Sequence, residues 1–151
     1  MRAITTAILV DGGFYRQRAL RLFGKKTPED RAKELAEYCR RHIAASQASL
    51  YRVFYYDCPP SAKVVFHPLT GEHVNLAKSD QYRWVRSFHQ QLVRKRKFAF
   101  RRGEELESQS HFSLKYDKLK KLCSGKISVS DLKPEDLSLI HISEPTRRYA
   151  I

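Results

Sequence analysis

Ala7-Ile-Leu-Val-Asp-Gly-Gly-Phe-Tyr-Arg16 is the stretch on which the fold turns. Its apolar residues run without interruption until Asp11-Gly-Gly13 closes them. Continuous rather than alternating apolarity predicts a strand covered on both faces, as in a parallel sheet. Phe14 to Phe23 then reads as a helix, with Ala19, Leu20 and Phe23 on one side and Arg16, Arg18 and Arg21 elsewhere. Thr27-Pro-Glu-Asp30 opens a second helix: Thr is suited to the N-cap, Pro to the first helical position and acids to the first turn. It runs to about Ala45, with Leu35, Cys39 and Ile43 spaced by four along a buried stripe. Leu50 to Tyr56, rich in aromatic and β-branched residues, predicts a second strand ended by Asp57-Cys-Pro-Pro60. Strand, helix, helix, strand is a crossover of the kind that places parallel strands side by side with a right-handed connection.

Further along, Val64-Val-Phe66 and His73-Val74 flank Pro68-Leu-Thr-Gly71, a hairpin signal. Ser79 or Asp80 caps a third helix reaching Val93, which is expected to bury Trp84, Val85, Phe88 and Leu92. Phe98-Ala-Phe100 is a short strand, residues 104–113 a polar loop, and Asp117 to Cys123 a short basic helix closed by Gly125. There is no internal repeat and no interdomain linker. Residues 1–136 are therefore expected to form one α/β unit. Residues 137–151 stand apart, because Leu137-Ser-Leu-Ile-His-Ile-Ser-Glu-Pro-Thr-Arg147 resembles the in-frame translation of a sequencing adapter. The competing reading of that tail is a genuine apolar strand followed by a turn.

The 151 residues carry 29 Lys and Arg against 16 Asp and Glu, a net charge of +13. A hydrophobic fraction of 42% in a chain this long supports a real core and argues against disorder. The charge excess favours a polyanionic partner, nucleic acid or an anionic membrane surface. No stretch approaches the length of a membrane span, and the apolar run before Asp11 is too short for a signal peptide. Three scattered cysteines, Cys39, Cys58 and Cys123, suit neither a disulfide framework nor a structural zinc site. Reduced thiols and a cytoplasmic location are the expectation.

Asp11 and Asp57 each follow directly on an apolar strand, and ligands of open α/β sheets bind beyond the carboxyl ends of the strands. On adjacent strands, two such carboxylates invite a cation between them, and Mg²⁺ suits because it takes few carboxylates and bridges to phosphate. Gly12 and Gly13 would let a phosphate backbone approach closely. The plain alternative is that strand-end aspartates form turns and cap helices. Arg83, Arg86, Arg94, Lys95, Arg96, Lys97, Arg101 and Arg102 lie between Gln81 and Gly103 with no acid among them and aromatics interleaved. Of these, Arg94 to Lys97 is the strongest candidate for phosphate contacts, with Arg101 and Arg102 beside it; the aromatics are better read as core. No dinucleotide or P-loop glycine signature follows the first strand. Cys58 has nothing beside it in sequence to lower its pKa and reads as an inert thiol.

Together, the segments 7–16 and 50–60, Phe66-His-Pro-Leu-Thr-Gly71 and Lys121-Leu-Cys-Ser-Gly-Lys-Ile-Ser128 resemble the NYN domain proteins of the PIN-like nuclease superfamily, in particular the bacterial LabA-like branch. The resemblance spans residues 4–136. It implies a PIN-like, three-layer α/β/α fold with a mainly parallel sheet, of which this chain holds the N-terminal part. It further implies metal-dependent hydrolysis of RNA, with Asp11 and Asp57 as catalytic and metal-holding residues, Mg²⁺ or Mn²⁺ as cofactor, and RNA, single-stranded or structured, as partner. Gly12, Gly13, Arg94, Lys95, Arg96, Lys97, Arg101 and Arg102 are the expected RNA contacts. Further acids that the family carries on later strands do not occur before residue 137, so the chain as it stands is expected to be inactive. A non-catalytic RNA-binding module is the alternative.

Overall fold

The computed structural model of the protein describes residues 4–103 and 111–140. Strand β1 (Thr5–Asp11) leads straight into helix α1 (Gly12–Phe23), then α2 (Pro28–Ala45) and β2 (Ser49–Asp57). The hairpin β3 (Val64–Phe66) and β4 (His73–Asn75) and a 3-10 turn precede α3 (Asp80–Val93) and β5 (Phe98–Arg102). After β6 (His111–Leu114) come α4 (Tyr116–Cys123) and β7 (Leu137–Ile140). The main sheet has the order β1-β2-β5, and both pairings are parallel. β3 with β4 and β6 with β7 form separate antiparallel pairs.

Local chemistry sets these boundaries. The Asp11 side chain accepts the Phe14 amide at 3.0 Å and starts α1. Thr27 accepts the Asp30 amide at 3.1 Å, with Pro28 behind it, and starts α2. Ser79, not Asp80, caps α3 by accepting from Tyr82. Gly24, at φ 68°, ends α1 in a backbone conformation that side chains disfavour, and its amide returns to the Leu20 carbonyl.

Register decides which residues become core. Ile8 pairs with Val53 and Val53 with Phe98; Val10 pairs with Tyr55 and Tyr55 with Phe100. These rows form one face and pack on Ala32, Leu35 and Cys39 of α2 and Phe88 and Leu92 of α3. The alternate rows, Leu9 with Phe54 and Asp11 with Tyr56, form the other face. Leu9 is 68% exposed and Tyr56 46%, and Arg101 lies over the Phe54 ring at 5.2 Å.

Four expectations change here. β1 is an edge strand whose burial alternates, so its continuous apolarity does not signal cover on both faces. Among the described residues the architecture is a parallel sheet with helices packed on one face, where three layers were expected. Of the expected loop 104–113, residues 104–110 lie outside the described residues, but 111–113 belong to the strand His111–Leu114, because it pairs with Leu137–Ile140 of the tail. The rest of that tail, residues 141–151, is outside the described residues. On α1, Ala19 is buried as expected, whereas Leu20 and Phe23 are half-exposed.

Buried Arg31 ties α1 to α2. Its guanidinium donates to Glu34 Oε1 at 2.6 Å and to the backbone carbonyls of Ala19 and Gly24. No described helix is long and apolar enough to cross a membrane.

The two faces predict opposite sensitivities. Phe88→Ala, at a fully buried position, should cost about 3–5 kcal/mol. Leu9→Ser, on the open face, should change stability by less than about 1 kcal/mol. Urea denaturation of both variants checks the pair.

Candidate functional site

At the carboxyl edge of the sheet, β2 presents Tyr55 and Asp57 on its core-facing side. α1 brings Arg16 there, five residues after its Asp11 cap, and α3 brings His89. The Asp57 carboxylate is almost fully enclosed, its side chain only 5% exposed. Arg16 grips it with two parallel hydrogen bonds, Nε to Oδ2 at 3.0 Å and Nη2 to Oδ1 at 3.1 Å. His89 Nε2 stands 2.9 Å from Oδ2 and the Cys58 amide donates to Oδ1 at 2.9 Å. The Tyr55 hydroxyl lies 3.3 Å from Oδ2 and 3.2 Å from the Gly12 carbonyl. An ionised carboxylate only accepts, so the proton facing it sits on His89 Nε2.

The electrostatics follow from this enclosure. Burial, the largest influence, would raise the Asp57 pKa, but the hydrogen bond from His89 and the charge of Arg16 together hold it below the usual carboxylate range. Burial and the neighbouring Asp57 push the Tyr55 phenol up, so it stays protonated and can donate. Burial and Asp57 also raise the Cys58 thiol. A raised thiol is a poor nucleophile, in keeping with the inert reading of this cysteine.

Each expected site residue now has a place. Asp11 and Asp57 do end neighbouring parallel strands. Asp11, however, pairs in register with Tyr56, so Asp57 lies one residue further along and on the opposite face. Asp11 spends Oδ1 on the Phe14 amide as the α1 cap. The two carboxylates therefore share no cation: Asp57 finds its positive partner in Arg16 of this chain. Gly12 is buried, and a Cβ there would lie 2.5 Å from Tyr55 Cζ, so the space at this glycine is taken by the Tyr55 ring and not left open for a phosphate. Gly13 lines a neighbouring cleft.

The basic run is divided. Arg94–Lys97 occupies the turn from α3 into β5, at the amino end of the parallel strands, and Lys97 Nζ donates to the Leu50 carbonyl at 2.5 Å. Arg101 and Arg102 close β5 at the opposite, carboxyl end, a strand's length of roughly 16 Å away. These cations do not form one patch.

A cleft of about 640 Å³ opens beside the Asp57 cluster. α1 contributes Gly13, Arg16 and Gln17 to its wall, the α1–α2 connection Lys25 and Lys26, α2 Arg31, and α3 Asp80, Gln81 and Trp84. Lys26 and Arg31 are paired with Glu34, Arg16 with Asp57, and Asp80 with Arg83. Among the described residues no carboxylate pairs with Lys25. Trp84, expected in the core, packs against it but is only partly buried, and its remaining surface lies on this wall.

The donor set does not fit Mg²⁺ or Mn²⁺ as arranged. Both Asp57 oxygens already accept from the protein, and Arg16 puts a positive charge where the metal would sit. Among the described residues no group of three or more His, Cys, Asp or Glu could hold a metal ion. Sequence reading missed Arg16, Tyr55 and His89. His89 had a legible signal: it falls with Val85, Phe88 and Leu92 on the buried stripe of α3, where a polar side chain needs a partner.

Asp57→Asn would leave the buried Arg16 charge without its counter-ion and should cost about 3–5 kcal/mol at neutral pH. The pH dependence has a definite sign. With the folded pKa below the unfolded value of about 3.9, Asp57 contributes its full stabilisation above that value, and the contribution fades as pH falls through the folded pKa. Urea midpoints between neutral pH and pH of about 3 should therefore fall less steeply in Asp57→Asn than in the parent chain.

Compared with family models, with curated proteins and with solved structures, the chain matches none.

Proposed function

We propose that this chain binds RNA through the cleft at the carboxyl edge of its sheet. The observation that carries the reading is the wall of that cleft, where Arg16, Lys25, Lys26 and Arg31 meet beside the half-buried Trp84 ring, with Asp80 the one acid among the described residues lining it. Phosphodiester recognition asks for cations that reach oxygen atoms, and an aromatic ring offers a surface for an unstacked base. The net charge of +13 supports it, because the field of a basic protein draws a polyanion toward its surface. Arg94–Lys97, at the far end of the sheet, adds long-range attraction without lining the cleft.

A second reading, metal-dependent RNA hydrolysis as the NYN resemblance implies, is favoured by one observation: Asp11 and Asp57 end adjacent parallel strands. It requires Arg16 to leave Asp57 and additional acids to join the two aspartates.

Both readings meet in one experiment. Binding of a labelled single-stranded RNA, followed by fluorescence anisotropy, should weaken linearly in log affinity against log salt. Lys25→Ser with Lys26→Ser should weaken binding by about tenfold or more and lower the salt slope by roughly one to two. Replacing Arg94, Lys95 and Arg96 with Ser should change the slope with a smaller loss of affinity. No detectable affinity for RNA at low salt would refute the binding reading. Cleavage that needs Mg²⁺ or Mn²⁺ and is lost in Asp11→Asn, a change that keeps a good helix cap, would establish the hydrolytic reading instead.

A further inference from the structure

We infer that the cleft seats one unstacked nucleotide of a single RNA strand, its base on the indole of Trp84 and its phosphate at Lys25. This rests on the RNA-binding reading and assigns which form of RNA the site takes. Trp84 is fixed before any ligand arrives. Its Nε1 donates to the Lys26 carbonyl at 2.9 Å, and Phe88 stacks on it with ring centres 5.2 Å apart and planes inclined by 21°. One edge and one face of the indole are thus held, and the residue still forms part of the cleft wall. A ring immobilised in this way loses little freedom on stacking, which favours its use as a platform.

The phosphate position follows from charge pairing. Arg16, Lys26 and Arg31 each have a carboxylate partner, whereas Lys25 has none among the described residues, and it stands on the connection whose next residue anchors the indole. Gln17 and Gln81, also on the wall, carry amide groups that both donate and accept, as the exposed edge of a base requires. A volume of about 640 Å³ lies within the usual span of small-ligand clefts, roughly 300–1,000 Å³. A base within a duplex keeps both faces stacked and cannot reach a side-chain platform, so the arrangement selects single strands.

Trp84 is the only tryptophan, so its fluorescence reports on the site directly. Titration of the parent chain with a short oligoadenylate should quench that emission saturably, with the same midpoint as anisotropy of the labelled strand. A duplex of equal length should bind more weakly and leave the emission unchanged. Adenosine monophosphate should compete, but only at higher concentration than the strand. Lys25→Ser should shift the quenching midpoint by about fivefold or more, and Trp84→Phe, which keeps an aromatic ring against Phe88, should weaken the strand less than Trp84→Ala. If the strand binds by anisotropy while the emission stays constant and Lys25→Ser is silent, the nucleotide seat is refuted and RNA binding stands. If duplex and single strand quench equally, or adenosine monophosphate binds as tightly as the strand, the selection for an unstacked strand nucleotide is refuted. If no RNA binds, both readings fall.

Discussion

The Asp57 carboxylate, enclosed by Arg16, His89, Tyr55 and the Cys58 amide, is the constraint on which the carboxyl edge of this fold depends. It lies where β2 ends, and its partners come from α1 and α3, so one side chain fixes two helices against the sheet. A buried carboxylate carries a desolvation cost of several kcal/mol, which only close and well-directed partners offset. The two parallel bonds from the Arg16 guanidinium supply that direction, and they set how α1 is rotated about its own axis. Gly12 completes the arrangement. Its missing Cβ admits the Tyr55 ring, whose hydroxyl stands between the Gly12 carbonyl and Asp57. The turn Asp11-Gly-Gly13 is thus built around the β2 side chains, and its glycine serves packing at this point.

Much of the fold was legible because its signals are local. The caps of α1 and α2 and the end of β2 follow from side chains within a few residues of the boundary, as with Thr27 and Asp30. The parallel pairing of β1 and β2 follows from the helical crossover between them. What escaped depends on distant partners. An apolar run such as Ala7-Ile-Leu-Val10 has the same composition whether one face or both are covered, and only the position of β1 at the sheet edge exposes Leu9. His111–Leu114 becomes a strand through Leu137–Ile140, more than twenty residues later. Trp84 and Val85 are neighbours in the helical pattern, yet only Val85 is enclosed, because the α1–α2 connection meets Trp84 at its edge and leaves a cleft beside it.

The candidate site was legible in location and not in chemistry. Strand-end aspartates do mark the carboxyl edge, but residue parity sends Asp11 and Asp57 to opposite faces, and a one-residue offset of this kind cannot be read without the register. The partners of Asp57 are also far apart in sequence: Arg16 balances its charge and His89 hydrogen-bonds to it. The run Arg94–Lys97 shows the converse. Its density in sequence suggests one patch with Arg101 and Arg102, whereas a parallel strand carries the chain from one edge of the sheet to the other and separates them.

Arg16 joins the two parts of this edge, since the same guanidinium pairs with Asp57 and lines the cleft. Its charge is largely spent on the carboxylate, so it cannot dominate anion binding without exposing a buried Asp57. Lys26 is likewise paired, with Glu34, so among the described cations of the cleft wall only Lys25, on the connection between α1 and α2, has no carboxylate partner, and its flexible ammonium can move without disturbing the core. This division places rigid bidentate pairing inside, where it holds the helices, and adaptable charge at the rim. It also explains why Arg31 and Lys26 share Glu34: the shared carboxylate anchors the connection to α2, and with it the Lys26 carbonyl that orients Trp84. The geometry of the aromatic wall therefore depends on the same charge pairs that close the end of α1.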